Sequence, residues 1–316
     1  MKNVQIGQHE ASDLRRQVDK VLRGLGNPEP PLELSDVREL LRLDRQFFSS
    51  SDDSAIREVA SKLIIAGKQI IARPTLLVDV VRKAQLSALW LPDRKRILID
   101  SETPLLKHRW YETHEIGHSL AEWHGEFLYG DSEETLSPTC REQLEAEANY
   151  AAGQLLFMSD RFGREAGDVS TTFASVRALA KRFGNTITST LWRYVEEVHR
   201  GQPLVGIVTP SSLVDDAVAA HGRLPNRYCI ESPEFKARFS NVSEQDLLRI
   251  INGYASYRRG GPLGEAEIVL NDSSGNRHLF YFETFSNRHS RLTLAVYRHP
   301  VASAVLVTTP ALRLVR

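Results

Sequence analysis

The sequence predicts an α+β protein, and three observations carry that expectation. Apolar residues recur at helical spacing along most of the chain up to about residue 200. One hairpin signal breaks the pattern near residues 86–99. Beyond Gly201 the composition turns β-rich, with a helical stretch among several strand candidates.

Up to Pro31 the chain is polar and punctuated by Gly24, Gly26, Pro28, Pro30 and Pro31, which predicts a short helix and then a linker. From Ser35 the pattern is helical. Val37, Leu40, Leu41 and Leu43 share one face, with Ser35 and Asp36 as N-caps. A second helical stretch follows Ser54, carrying Ile56, Val59, Ala60, Leu63 and Ile64, and after Pro74 the segment Leu76–Lys83 reads as one more helix. Leu86–Leu91 and Arg96–Ile99 are short apolar runs on either side of Pro92-Asp93-Arg94, a hairpin with Pro and Asp in its turn. Thr103 as N-cap and Pro104 as first helical residue open a helix predicted to reach His124, where Gly125 takes the left-handed cap.

A further helix is predicted over Cys140–Met158, and a helical pair between Thr171 and Val198. Strands are expected at Leu204–Val208, Ala266–Leu270, Leu279–Thr284 and Leu292–Tyr297, and a helix at Ser243–Tyr257. The expected division is a helical N-terminal region over 1–74, a core over 75–200 that includes a helix-turn-helix-like pair at 171–198, and a separate α+β domain over 201–316 with a sensory or regulatory role. The aromatics Phe280, Tyr281, Phe282 and Phe285, near Arg288 and His289, read as strand core in preference to a ligand cage.

The 40 Lys and Arg residues balance the 40 Asp and Glu residues, which argues against a whole surface built for nucleic acid or anionic membrane. Met1 to Gln5 leads into the charged stretch Asp13–Lys20 with no apolar segment of the secretory type. No run approaches the roughly 18–20 apolar residues that cross a bilayer. The two cysteines, Cys140 and Cys229, sit in unrelated contexts, so the expectation is ordinary thiols in a reducing cytoplasm.

His114-Glu115-Ile116-Gly117-His118 is an H-E-x-x-H pattern on a predicted helix. Spacing of four residues puts both imidazoles on one face, one turn apart. Two nitrogens at about 2.0–2.1 Å from a single zinc ion can be supplied that way without distorting the backbone. Glu115 lies beside that face, where its carboxylate reaches a water whose pKa the metal lowers toward about 7. Trp110, Gly117 and Ala121 share the face and make it apolar, so an unpartnered imidazole pair there would be costly.

A catalytic zinc needs a third protein ligand and an open position. His124 stands six positions after His118, as in the metzincin pattern, but that pattern needs a glycine where this chain has Ala121, and Met158 supplies no Met-turn. The better candidate is Glu145, on the same face as Asn149 four residues later; Asn149 can accept a hydrogen bond from a ligand histidine. Glu147, turned away by about 200°, ranks second as a ligand.

These helices together resemble the ImmA/IrrE family of metallo-endopeptidases. The matching stretches are Arg96-Ile97-Leu98-Ile99-Asp100, His114-Glu115-Ile116-Gly117-His118, and Glu145-Ala146-Glu147-Ala148-Asn149-Tyr150-Ala151-Ala152 with Leu155-Leu156. The resemblance covers roughly residues 75–200. It implies a compact zincin-like metallopeptidase core with two His and one Glu as zinc ligands. It also implies cleavage of a specific intracellular protein, often a repressor of the helix-turn-helix type. Two positions depart from the family pattern: Ala151 stands for the usual Phe, and Leu155-Leu156-Phe157-Met158 for the usual Leu-Leu-Met-Pro ending. By analogy with zincins, Arg96–Ile99 is the expected substrate-binding edge, and Tyr111 and His124 are candidate oxyanion stabilisers.

Val176–Tyr194 has a small residue, Ala180, and a glycine, Gly184, spaced as in a helix-turn-helix, with Lys181, Arg182 and Arg193 available to phosphates. Packing of this pair on the peptidase core is the preferred reading, because Glu196 and Glu197 follow closely. The alternatives to a zinc endopeptidase are a DNA- or protein-binding regulator with a non-catalytic metal site, and a toxin–antitoxin component. An intact Glu115 argues against the first, since a purely structural metal has no use for a general base.

Overall fold

A computed structural model describes residues 6–49, 88–91, 95–124, 138–198, 201–210, 227–258 and 260–301. The helices expected after Ser54 and at 76–83 lie outside the described residues, as do the hairpin turn at 92–94 and Gly125. By its internal contacts the chain divides into two compact units, Met1–Phe162 and Gly163–Arg316. The architecture is mixed α+β, with a helical N-terminal region and an antiparallel C-terminal sheet.

In the first unit, α1 (Gln8–Gly24) is a longer and more integral helix than the sequence suggests. Leu14, Val18, Val21 and Leu22 recur at i, i+4, i+7 and i+8, and all are buried. The helix α2 (Leu34–Leu41) begins after Glu33, ahead of the predicted caps Ser35 and Asp36, and stops where Arg42 enters the left-handed region at φ 56°. The strand β1 (Asp44–Phe48) follows at once. It pairs in parallel with β3 (Arg96–Asp100), which also pairs antiparallel with β2 (Ala88–Leu91), giving the order β1-β3-β2.

Ile97, Leu98 and Ile99 are all buried, as a continuous apolar run in a central strand should be. The expected hairpin therefore forms, but β3 is not an edge. The substrate-binding edge expected at Arg96–Ile99 is therefore not an edge, because β1, a strand without apolar alternation, pairs along that side. Among the described residues the free edges belong to β1 and β2.

The helix α3 (Leu105–Leu120) is capped by Pro104, one residue later than expected, because the Thr103 hydroxyl donates back to the Asp100 carbonyl at 2.7 Å. It ends at Leu120 and not at His124, since Ala121 leaves the helical region at φ −88°, ψ 94°. A further turn then returns the chain, with the His124 amide donating to the Ala121 carbonyl. The helix α4 (Pro138–Leu156) buries Leu144, Ala148, Ala151, Ala152, Leu155 and Leu156 along one stripe, and packs against both α1 and α3. Glu112 on α3 ties the helix to α2 and β1 through Arg38 at 2.6 Å and Arg45 at 2.7 Å.

After α5 (Asp160–Gly167), which the sequence reading missed, the second unit contains α6 (Phe173–Phe183) and α7 (Ile187–Arg193). Gly184 ends α6 at φ 67°, and Thr172 and Thr186 cap the two helices. A π-helical turn, Tyr194–Val198, follows. The sheet is wholly antiparallel in the order β5-β4-β8-β7-β6, with β4 (Leu204–Pro210), β5 (Tyr228–Glu231), β6 (Gly261–Asn271), β7 (Arg277–Ser286) and β8 (Ser290–Pro300). All four predicted strands are present, and β5 is an addition.

On one face of the sheet, Val205, Ile207, Phe280 and Phe282 meet Phe235 of α8 (Pro233–Arg238), Phe239 just after that helix, and Leu247 and Ile251 of α9 (Glu244–Tyr254). Ser243 and Asp246 close a reciprocal capping box at the start of α9. On the other face, Phe173 stacks on Phe285, and Gly206 leaves room for Val195 and Leu191. The helix pair grouped with the core in the sequence reading thus belongs by its contacts to the second unit and packs on this sheet.

Candidate metal centre

Helix α3 presents His114 and His118, and α4 presents Glu145 to both of them. His114 Nε2 lies 3.2 Å from His118 Nε2 and 3.2 Å from Glu145 Oε2, and His118 Nε2 lies 3.7 Å from Glu145 Oε1. The three donor atoms fall within 4.8 Å of one another. Bonds of about 2.0–2.1 Å in a tetrahedral zinc site put ligand atoms about 3.3–3.4 Å apart, so the spacing suits that ion. Glu145 is half-exposed while both histidines are largely buried, which leaves one side of the group facing solvent.

The backs of the rings are also held. His114 Nδ1 donates to Asn149 Oδ1 at 3.1 Å, and that hydrogen bond leaves Nε2 as a lone pair directed at the group. His118 Nδ1 lies 2.9 Å from His124 Nδ1, whose Nε2 lies 2.9 Å from Glu147 Oε2. Two imidazole nitrogens and a carboxylate at this range are held together by a proton on His114 shared with Glu145 or by a cation bound to all three. The donor set therefore fits a divalent metal with borderline preference for nitrogen and oxygen.

Glu115, 6 % exposed, is pushed up to about 7 by burial, with Glu145 adding to the rise and His114 and a backbone hydrogen bond from Trp90 opposing it. Burial pushes His118 down to about 3, reinforced by His114 and His124 against the pull of Glu145. Burial also works against the charged form of His114, but Glu145 and Glu115 outweigh it and leave that histidine raised. His124 is lowered by burial despite Glu147 beside it.

The structure brings together His114, His118 and Glu145, with Glu115 next to them and Asn149 behind His114. It sets Glu147 apart from the three donors: its carboxylate accepts from Trp123 Nε1 at 2.6 Å and from Gln143 Nε2 at 2.9 Å as well as facing His124. His124 is fully buried between His118 and Glu147. Tyr111 is partly buried on α3, three residues before His114. Trp123, Gln143 and the backbone of Trp90 were not singled out from sequence. Gln143 had a signal in its i,i+4 spacing to Glu147; the Trp90 contact had none, because it depends on how β2 meets α3.

In the second unit Arg182 pairs with Glu165 at 2.5 Å and Arg193 with Glu197 at 2.7 Å, while Leu191, Tyr194 and Val195 are buried. Phe280 and Phe282 are core residues, and the Tyr281 hydroxyl donates to Glu265. Among the described residues no helix is long and apolar enough to cross a membrane.

The family model described as an IrrE N-terminal-like domain matches residues 67–193. A search of curated proteins finds no match. Among solved structures, a chain titled "Mycobacterium tuberculosis transcriptional regulator" is similar at 13 % identity, covering 90 % of this chain and 88 % of that one with a TM-score of 0.48.

Proposed function

With residues 67–193 matching the IrrE N-terminal-like domain and so supporting assignment to the ImmA/IrrE family, we propose that this protein is a zinc-dependent endopeptidase acting on a specific protein substrate. The observation that carries the reading is the convergence of His114 Nε2, His118 Nε2 and the Glu145 carboxylate, with the buried Glu115 carboxyl beside them. His114, His118 and Glu145 would hold the metal. Zinc at that position supplies Lewis-acid polarisation of a carbonyl and a water made acidic near neutral pH.

The remaining work falls to side chains. Glu115, buried beside the three donors, takes a proton from the attacking water and delivers it to the leaving amine. Asn149 holds the His114 ring in the tautomer that turns Nε2 toward the metal. Among the described residues β2 is paired on one side only, and Trp90 on that strand bonds Glu115 through its backbone. An extended substrate added along β2 would bring its scissile bond past Glu115. The substrate is an intracellular protein, with a helix-turn-helix repressor as the first candidate.

No observation gives comparable support to a nucleic-acid role. The apolar side chains of the α6–α7 pair are used in packing on the sheet of the second unit, and two of its three arginine or lysine candidates are paired to glutamates.

The test compares zinc-supplied wild type with Glu115→Gln, expressed in the same cells, by mapping newly generated protein N-termini. Discrete new termini in the wild type alone are expected, with both proteins holding zinc. Identical termini in the two would contradict the proposal.

A further inference from the structure

The environment of His124 does not resemble that of a ligand or of a group reaching into a cleft. Its ring is fully buried, and each nitrogen has a partner: Nδ1 faces His118 Nδ1 at 2.9 Å, and Nε2 faces Glu147 Oε2 at 2.9 Å. The polarity of this chain follows from its far end. Indole nitrogen only donates, so Trp123 Nε1 donates to Glu147 Oε2 at 2.6 Å, and Gln143 Nε2 donates to Oε1 at 2.9 Å. An ionised carboxylate only accepts, so the third contact, His124 Nε2, must also carry a hydrogen. A neutral His124 then has a bare Nδ1 and accepts from His118 Nδ1–H. A neutral His118 protonated on Nδ1 has its Nε2 lone pair free, on the side facing His114 and Glu145.

We propose that His124 and Glu147 are positioning residues that fix His118 in its metal-binding tautomer, matching on the second histidine what Asn149 does on the first. The inference rests on the metal-site reading above and does not require peptidase activity.

The local fold explains how the device is built. The helix α3 stops at Ala121, which is fully buried beside Leu14 and Ala151. The turn that follows brings His124 back toward the helix, its amide bonded to the Ala121 carbonyl at 2.9 Å. The His118 and His124 rings meet at 5.0 Å between centroids, and Trp123 closes edge-on against His124 at 5.8 Å. On α4, Glu145 and Glu147 face opposite ways, so one helix contributes the carboxylate of the metal group and the carboxylate that anchors the relay. The E-x-E spacing turns both to account without bringing the two charges onto one ion.

Zinc affinity is measured by chelator competition for wild type, His124→Phe, Glu147→Leu and Glu147→Gln, and the histidine tautomers of the zinc-loaded wild type are read from long-range proton–nitrogen correlation spectra. His124→Phe and Glu147→Leu should weaken zinc binding about 10- to 100-fold, the usual cost of losing an outer partner of a ligand histidine. Glu147→Gln should stay within about threefold, because its amide oxygen still accepts from Trp123 and His124 while Gln143 turns its own oxygen to the new amide. The spectra should show His118 protonated on Nδ1 and His124 on Nε2. Unchanged affinity in His124→Phe, or a proton on His124 Nδ1, would overturn the relay while leaving the three-ligand site standing. Wild type that binds no zinc would overturn both. The spectra need only wild type, so the outcome does not depend on the variants folding.

Discussion

A Cβ placed on Gly117 of α3 would stand 2.5 Å from the carbonyl oxygen of Ala148 on α4. The glycine inside the H-E-x-x-H pattern therefore sets how near the two helices come. That spacing decides whether Glu145 reaches the two imidazoles, because all three donors lie on rigid helices whose contact is lined by Ala148, Ala151 and Ala152.

Replacing Gly117 by Ala should part the helices, since the obstacle is backbone and not the end of a flexible side chain. An unfolding loss of about 1–3 kcal/mol is expected, together with weaker zinc binding. Thermal unfolding and a zinc titration of the variant check this; unchanged values in both would contradict it.

Glu112 is 2 % exposed and answers two arginines from different elements. Glu112→Ala leaves Arg38 and Arg45 without their counter-charge and opens a gap between α3 and β1. The expected loss lies toward the lower end of about 3–5 kcal/mol, because the Arg45 side chain is one-third exposed at 34 %. Chemical denaturation measures it, and a change within experimental error would show that solvent replaces the carboxylate freely.

In the second unit the Asp272 carboxylate accepts from His278 Nε2 at 2.9 Å, from the Asn276 side chain, and from the amides of Ser274 and Asn276. These bonds hold its pKa well below the usual carboxylate range, the His278 contact most of all. The folded chain thus stays ionised at pH values where the unfolded chain takes up a proton. The stabilisation is complete above the unfolded pKa of about 3.9 and is lost as pH falls toward the folded value. Asp272→Asn should be less stable than wild type at neutral pH, with the gap closing as pH falls below the unfolded carboxylate value of about 3.9. A gap that widens on acidification would contradict the assignment.

Much of this arrangement was legible because the spacing of residues on a helix fixes which ones share a face. His114 and His118 at i and i+4, and Glu145 with Asn149 at i and i+4, could be read without knowing where α3 and α4 cross. The β2–β3 hairpin was legible from Pro92 and Asp93 between apolar runs. The strand β1 was not, since Asp44, Arg45 and Gln46 give no apolar alternation and its partner is fifty residues distant. The same limit hid the central position of β3 and hence misplaced the substrate edge. The depth of α1 was hidden by its charged face, although Leu14, Val18, Val21 and Leu22 were there to be counted. The role of His124 depended on where α3 ends, and Ala121 gives no strong stop signal; only the packing of Ala121 against Leu14 and Ala151 makes the turn.

His114, His118 and Glu145 are proposed to hold one metal ion together. Elemental analysis of purified wild type beside His114→Ala and Glu145→Ala tests it most directly. About one zinc per chain is expected in the wild type, the stoichiometry of a single tetrahedral site, with loss or strong weakening in both variants. Zinc retained in full by Glu145→Ala would contradict the ligand set, and a wild type that takes up no metal when zinc is supplied would contradict the site itself.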